Sequence, residues 1–267
     1  MMNEPFEESW RIRFATEPPE NFAALASFGR HRSVRRYRDE AIPESWVQTL
    51  IGTAQSASTS SNLQLWSVIS IQDPGTREEI AKLADNYQHI RSASWFFAFL
   101  ADHYRLRQAA ASVGEAAEGL DYSEFYTMAV IDAALAAERF VCAAETLGLG
   151  TCYIGAMRNN APGIKQILDL PEGVFCVFGL CLGWPEEPTP EHVKPRLRQE
   201  AIWFKETYNR EPPIEEYNSR MKDFYDREKM KGDINWSMRS GRRADNHHLT
   251  GREILKPWLE EQGFNRR

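Results

Sequence analysis

Five arginines fall within nine residues in Arg30-His31-Arg32-Ser33-Val34-Arg35-Arg36-Tyr37-Arg38. Guanidinium groups at this density favour anions, phosphate above all, because each presents a fork of charged donors. The cluster is local: 32 Lys+Arg against 38 Asp+Glu give the chain a formal net charge of −6. Composition alone leaves an anion site and a solvated basic loop both open. A nucleic-acid surface is not expected, since the overall charge is negative and no broad basic stripe with interleaved aromatics appears. A second basic element, Lys194-Pro195-Arg196, holds two cations apart across a rigid proline.

Two further segments carry polar chemistry. The run Ser56-Ala57-Ser58-Thr59-Ser60-Ser61-Asn62-Leu63-Gln64-Leu65-Trp66 supplies hydroxyls and amides that can meet phosphate or a heterocycle edge, or simply form a polar loop. The stretch from Gly148 to Asn160 has glycines at 148 and 150 but Tyr153 where G-x-G-x-x-G needs its third glycine. It also follows a helical pattern and not a strand, so a Rossmann dinucleotide site is not supported. Cys142, Cys152, Cys176 and Cys181 form no C-x-x-C pair. Reduced, buried thiols are expected, and no metal site.

These groups must be positioned by a mixed set of elements. Short helices are expected at Asn21–Phe28, Pro43–Ala57, Glu78–Ala84 and Ile164–Leu168, and strands at Leu65–Ile71, Trp95–Ala101, Thr151–Ile154 and Val174–Leu182. Asp73-Pro74-Gly75 is a strong turn signal after the first strand. The longest helix runs from about Asp121 to Leu147, with Phe125, Ala129, Ala133, Ala136, Phe140, Ala143 and Leu147 on one face; that is about 40 Å. Gly148 and Gly150 end it. Trp184–Pro195 reads as loop, and Glu215–Lys229 and Arg252–Gln262 as polar helices. Helices and strands without a regular βαβ period argue for an α+β fold.

At 267 residues with 42% hydrophobic content, the chain can bury a full core without staples. The longest apolar run, Val174–Trp184, has eleven residues, where a membrane helix needs about 20. The first twenty residues carry five acids and two arginines and no secretory pattern, which makes cytoplasm the default expectation and residues 1–20 an acidic arm outside the main core.

In their order, these segments resemble the nitroreductase superfamily of FMN-dependent oxidoreductases, in particular its oxygen-insensitive NADPH nitroreductase and NADPH–flavin oxidoreductase group. The resemblance spans about residues 21–267. It is carried by His31-Arg32-Ser33-Val34-Arg35, Ser61-Asn62-Leu63-Gln64-Leu65-Trp66, Gly148-Leu149-Gly150 with Tyr153-Ile154-Gly155-Ala156-Met157-Arg158-Asn159-Asn160, Gly179-Leu180-Cys181-Leu182-Gly183-Trp184-Pro185, and Lys194-Pro195-Arg196-Leu197.

It implies a mixed, mostly antiparallel sheet flanked by helices, with the long helix at a homodimer interface. One domain is expected over 21–267, including a basic helical excursion at about 198–245. FMN is implied as a non-covalent cofactor, with His31, Arg32 and Ser33, followed by Val34, at the phosphate and ribityl side, and Lys194 and Arg196 closing on the phosphate. Arg35 is implied near the flavin pyrimidine edge, where positive charge stabilises the reduced anion. Thr59 and Ser61 match hydroxyls beside the ring, Tyr153, Ile154, Gly155 and Ala156 the backbone facing it, and Tyr87-Gln88-His89 the stretch where the family has a glutamine. Ala156 replaces a common second glycine, and Arg198 stands where a proline is usual.

The basic stretch Lys222–Arg243, with Arg227, and the more distal Arg252 are expected to meet the 2′-phosphate of NADPH. The implied activity is two-electron, ping-pong hydride transfer from NADPH to small planar acceptors such as nitroaromatics, quinones or flavins, with no catalytic side chain acting as nucleophile. A dedicated flavin reductase supplying a partner, and a non-catalytic flavin-binding redox-responsive protein, are the alternatives.

Overall fold

The structure, a computed structural model, describes residues 6–20, 22–187, 192–230, 232 and 234–267. Parts of the expected arm, of the 184–195 loop and of the 222–243 basic stretch, with Asn21, therefore lie outside the described residues. In chain order the helices are α1 (Phe6–Phe14), α2 (Ala26–Arg30), α3 (Glu44–Gln55), α4 (Pro74–Leu83), α5 (Gln88–Ser92), α6 (Tyr104–Ser112), α7 (Ser123–Thr146), α8 (Ala161–Ile167), α9 (Glu215–Arg227), α10 (Trp236–Ala244) and α11 (Leu255–Glu261). The strands are β1 (Trp66–Ile71), β2 (Trp95–Asp102), β3 (Gly150–Ile154) and β4 (Val174–Gly183). The chain divides into two compact units, one of Ser33–Pro190 with Thr250–Arg267 and one of Met1–Arg32 with Glu191–Leu249.

The first unit is built on the sheet β1-β2-β4-β3, in which every strand pair is antiparallel. β2 is buried on both faces, which explains its continuous apolar sequence. Phe97, Phe99 and Ala101 join the core that includes α7 and α3, while Phe96, Ala98 and Leu100 join the opposite core with Ile80, Ile90, Met157 and Ile164. This two-sided division follows the period-two alternation of a strand. Asp73 caps α4 by accepting from the Thr76 N–H at 2.7 Å, with Pro74 in the first turn.

The alanine face of α7 is turned into the chain's own core, where Ala129, Ala133, Ala136, Ala137 and Ala144 are fully buried. Small side chains there let α3 and the sheet approach the helix closely. The outward face carries Ile131 and Leu135, exposed by 46% and 44%. Cys152, Cys176 and Cys181 are buried and Cys142 is partly exposed, and all four are thiols. Burial pushes the Cys176 thiol up to about 12. No helix among the described residues is long and apolar enough to cross a membrane.

The second unit holds α1, α2, α9 and α10. α9 buries Tyr217, Met221, Phe224 and Tyr225, which pack with Leu197, Met230, Ile234 and Trp236. α1 lies within what the sequence marks as an arm. Its signals are Glu7 and Glu8 in the first turn, Arg11 and Arg13 in the last, and Phe6, Trp10 and Phe14 four residues apart. The two successive ring pairs sit 5.7 and 4.6 Å apart. The helix expected at Asn21–Phe28 is displaced toward Arg30 as a short 3-10 turn and α2. α5 and α6 have no counterpart among the expected elements, whereas α10 falls within the basic helical excursion expected at about 198–245; α6 buries no residue, so it leaves no apolar stripe to read.

Candidate functional site

In the sheet unit, Ser33 and Val34 are held by the outer edge of β3. Ser33 forms an isolated parallel bridge with Thr151, and the Val34 N–H donates to the Thr151 carbonyl at 2.8 Å. Gly150 makes this approach possible, since a Cβ there would lie 2.8 to 2.9 Å from three Val34 side-chain atoms. Gly150→Ala is expected to destabilise the protein by about 2 kcal/mol through overpacking, measurable as a lower urea midpoint. The exposed Arg35 follows, its guanidinium donating to the Ser33 carbonyl at 3.3 Å. Burial, the hydrogen bond with Asp85 and the Asp85 charge raise the Tyr87 phenol pKa, while the positive charge of Arg35 acts in the opposite sense. Arg35 and Tyr87 are thus brought together. Tyr87 stacks on the buried His89 with ring centres 5.0 Å apart, and Gln88 is exposed.

Tyr153, Ile154, Gly155 and Ala156 form the end of β3 and the 3-10 turn after it. The Tyr153 hydroxyl donates to Glu138 at 3.2 Å, and burial together with that carboxylate pushes its pKa up, so the phenol stays protonated. Thr59 and Ser61 lie in the loop before β1, which occupies the sheet edge opposite β3. The two edge strands are three strand spacings, about 14 Å, apart. Thr59 and Ser61 thus precede one edge strand, and Tyr153–Ala156 end the other.

That loop is strained and clamped. Ser61, Asn62 and Gln64 have positive φ of 50°, 56° and 54°. Asp132, fully buried on α7, accepts from the Ser60 and Leu65 N–H groups, both at 3.0 Å. Arg105 donates to the carbonyls of Gln64 and Trp66. Neither residue is among those the sequence singles out, because each acts on backbone groups far away in the chain.

In the helical unit, the segments around His31 and Lys194 meet through one guanidinium. Arg13 donates to the carbonyls of Gly29 at 2.7 Å, His31 at 2.5 Å and Lys194 at 3.3 Å. The ammonium of Lys194 and the guanidinium of Arg227 lie 5.9 and 5.3 Å from the Phe224 ring centre, while the Arg196 guanidinium lies over the Lys194 and Pro195 carbonyls. The Arg32 Nε is shielded from solvent with no protein acceptor. A buried guanidinium N–H without a partner is costly, and an anionic oxygen is the group that would satisfy it. The residues present therefore fit a phosphate.

Comparison with known proteins agrees with this chemistry. The family model described as "Nitroreductase family" matches residues 29–184, and its C-terminal domain model matches 194–267. This chain belongs to the nitroreductase family. Among its relatives, the FMN reductase (NADPH) of Bacillus subtilis is 35% identical over 88% of this chain and 96% of its own length. The oxygen-insensitive NADPH nitroreductase of Salmonella typhimurium is 36% identical over 73% and 79%. The solved NfrA1 nitroreductase of B. subtilis superposes with a TM-score of 0.84 at 34% identity, covering 91% of this chain and 99% of that one. Residues 1–28 precede the region matched by the family models.

Arg252 sits elsewhere than the helical unit. Its Nη2 donates to the Gly155 carbonyl at 3.2 Å, and it follows Gly251, whose φ of 86° and close contact with the Asn159 carbonyl admit no side chain. Arg252 is thus tied to the turn after β3, whereas Arg227 belongs with Lys194.

Proposed function

We propose that the chain is an FMN-dependent NADPH oxidoreductase that reduces nitroaromatics, quinones or flavins in two-electron steps. The observation that carries this reading is the meeting of the His31–Arg32 and Lys194–Arg196 segments around Arg13, with the Arg32 Nε left for an acceptor. His31, Arg32, Lys194 and Arg196 hold the phosphate. Ser33 and Val34, fixed on β3, present the ribityl side, and Tyr153–Ala156 present small residues and main chain to the ring. When bound, FMN supplies hydride acceptance and donation.

The protein's part is to bind, orient and polarise. Arg35 places a cation where negative charge accumulates on reduction. Tyr153 keeps its proton and is oriented by Glu138. A flat, open ring face selects acceptors by planarity and electron deficiency, which suits several acceptor classes.

A homodimer completes the arrangement. Thr59 and Ser61 reach a ring held near β3 only when contributed by a second copy, because β1 and β3 are opposite sheet edges. Ile131 and Leu135 on the outer face of α7 supply apolar surface for association. Sedimentation equilibrium should give twice the chain mass of 30.7 kDa; a monomer that retains FMN would count against this assembly.

The activity test is anaerobic stopped flow. The yellow holoprotein should bleach with NADPH and regain its colour with quinones, nitroarenes or free flavin. Persistent colour with both NADPH and NADH would leave a binding role instead. Arg252 and Arg227 are assigned to the 2′-phosphate of NADPH. Arg252→Ala is expected to raise the KM for NADPH about tenfold, the scale of one lost charge-assisted hydrogen bond, and to leave NADH nearly unchanged. An equal loss for both donors would mean that Arg252 serves only the Gly155 turn.

A further inference from the structure

We propose that Arg13, on the helix that precedes the family-matched region, is a positioning residue for the phosphate-binding cations. This rests on the reading that His31, Arg32, Lys194 and Arg196 take the FMN phosphate.

Arg13 is only 7% exposed. Its guanidinium reaches backbone carbonyls in two segments that are remote in sequence, Gly29 and His31 on one side and Lys194 on the other. The main chain of the same residue adds two more ties: the Arg13 carbonyl accepts from the Arg196 N–H at 2.8 Å and from the Arg220 Nη1 at 2.9 Å. One residue thus sets the spacing between residues 29–31 and residues 194–196. A trans peptide points its N–H opposite to its C=O, so the bond to the His31 carbonyl also directs the Arg32 N–H away from Arg13. Cations gathered to hold a phosphate repel one another, and backbone ties of this kind hold them at a fixed separation without neutralising them.

The seat of α1 is equally specific. Ser9 is fully buried and donates to the Phe6 carbonyl at 2.9 Å. A Cβ at Gly29 would lie 2.1 Å from the Ser9 Oγ, so glycine at 29 is what lets α1 settle beside the turn that leads to His31. A lysine at 13 would keep the charge, but one ammonium cannot reproduce a planar fork across three carbonyls.

The test is titration of full-length apoprotein with FMN and with riboflavin, which lacks the phosphate, followed by flavin fluorescence. Arg13→Gln is expected to raise the Kd for FMN about 30-fold, as loss of charge-assisted hydrogen bonds implies, and to change riboflavin binding by less than about twofold. Arg13→Lys should lie closer to Arg13→Gln than to the wild type. Gly29→Ala, which displaces α1 and keeps the Arg13 charge, should show a smaller loss confined to FMN, and serves as the test if Arg13→Gln does not fold. Equal losses for both flavins would reduce Arg13 to a support of the fold and overturn the proposal, as would an Arg13→Lys protein that binds FMN like the wild type. The underlying reading fails in a different way: wild-type protein that binds FMN and riboflavin alike, with Arg196→Ala without effect, would remove the phosphate site itself.

Discussion

Asp132→Asn is expected to destabilise the protein by about 3 kcal/mol, although the two side chains are nearly isosteric. Each carboxylate oxygen of Asp132 receives one backbone N–H, from Ser60 and from Leu65. Asparagine offers one acceptor and one NH2 group, so one buried N–H faces another donor and the other bond loses its charge assistance. The loop so released holds Ser61, Asn62 and Gln64 in the left-handed region, a conformation that costs of order 1 kcal/mol per residue and persists only where the surroundings enforce it. Chemical denaturation of the apoprotein should therefore shift to lower urea, and amide exchange in residues 60–65 should rise. A change below about 1 kcal/mol would mean that the loop is held mainly by Arg105.

Arg35→Ala should slow reduction by NADPH about 100-fold, the range seen when one preorganised electrostatic donor is removed, and weaken FMN binding far less. The side chain is exposed and donates to the nearby Ser33 carbonyl, whereas the tie to β3 is made by the backbone of Ser33 and Val34. Its positive charge opposes the upward shift of the Tyr87 phenol. The flavin midpoint potential should fall in the variant, since the reduced anion loses its counter-charge; an unchanged potential with a slower rate would assign Arg35 to orienting the donor instead.

Both predictions turn on residues of different legibility. Arg35 stands within a dense basic run, a signal confined to nine consecutive residues. Asp132 is one of four acids on the alanine-rich α7, and nothing near it in sequence announces that it will accept two N–H groups from a loop about seventy residues earlier. The same contrast applies to Arg13. Two arginines among five acids read as a charged arm, yet one of them is buried and reaches a carbonyl 181 positions away.

The alanine stripe of α7 gives the opposite lesson. Its period identified a face that admits close packing, but not whether the neighbour would be the chain's own α3 and sheet or another subunit. Periodicity reports that a face is buried and is silent on what buries it.

By itself the sequence determined the α+β class, all four strands, the long helix and the basic segments with their family resemblance, because each depends on interactions between residues near one another in the chain. Only the tertiary structure decided that the His31 and Lys194 segments share one buried guanidinium, that Asp132 clamps the Thr59–Ser61 loop, and that this loop sits at the sheet edge opposite Tyr153. Those arrangements depend on backbone hydrogen-bonding groups, which every residue carries alike; their pairing is fixed by how the elements pack, and no local pattern of side chains records it.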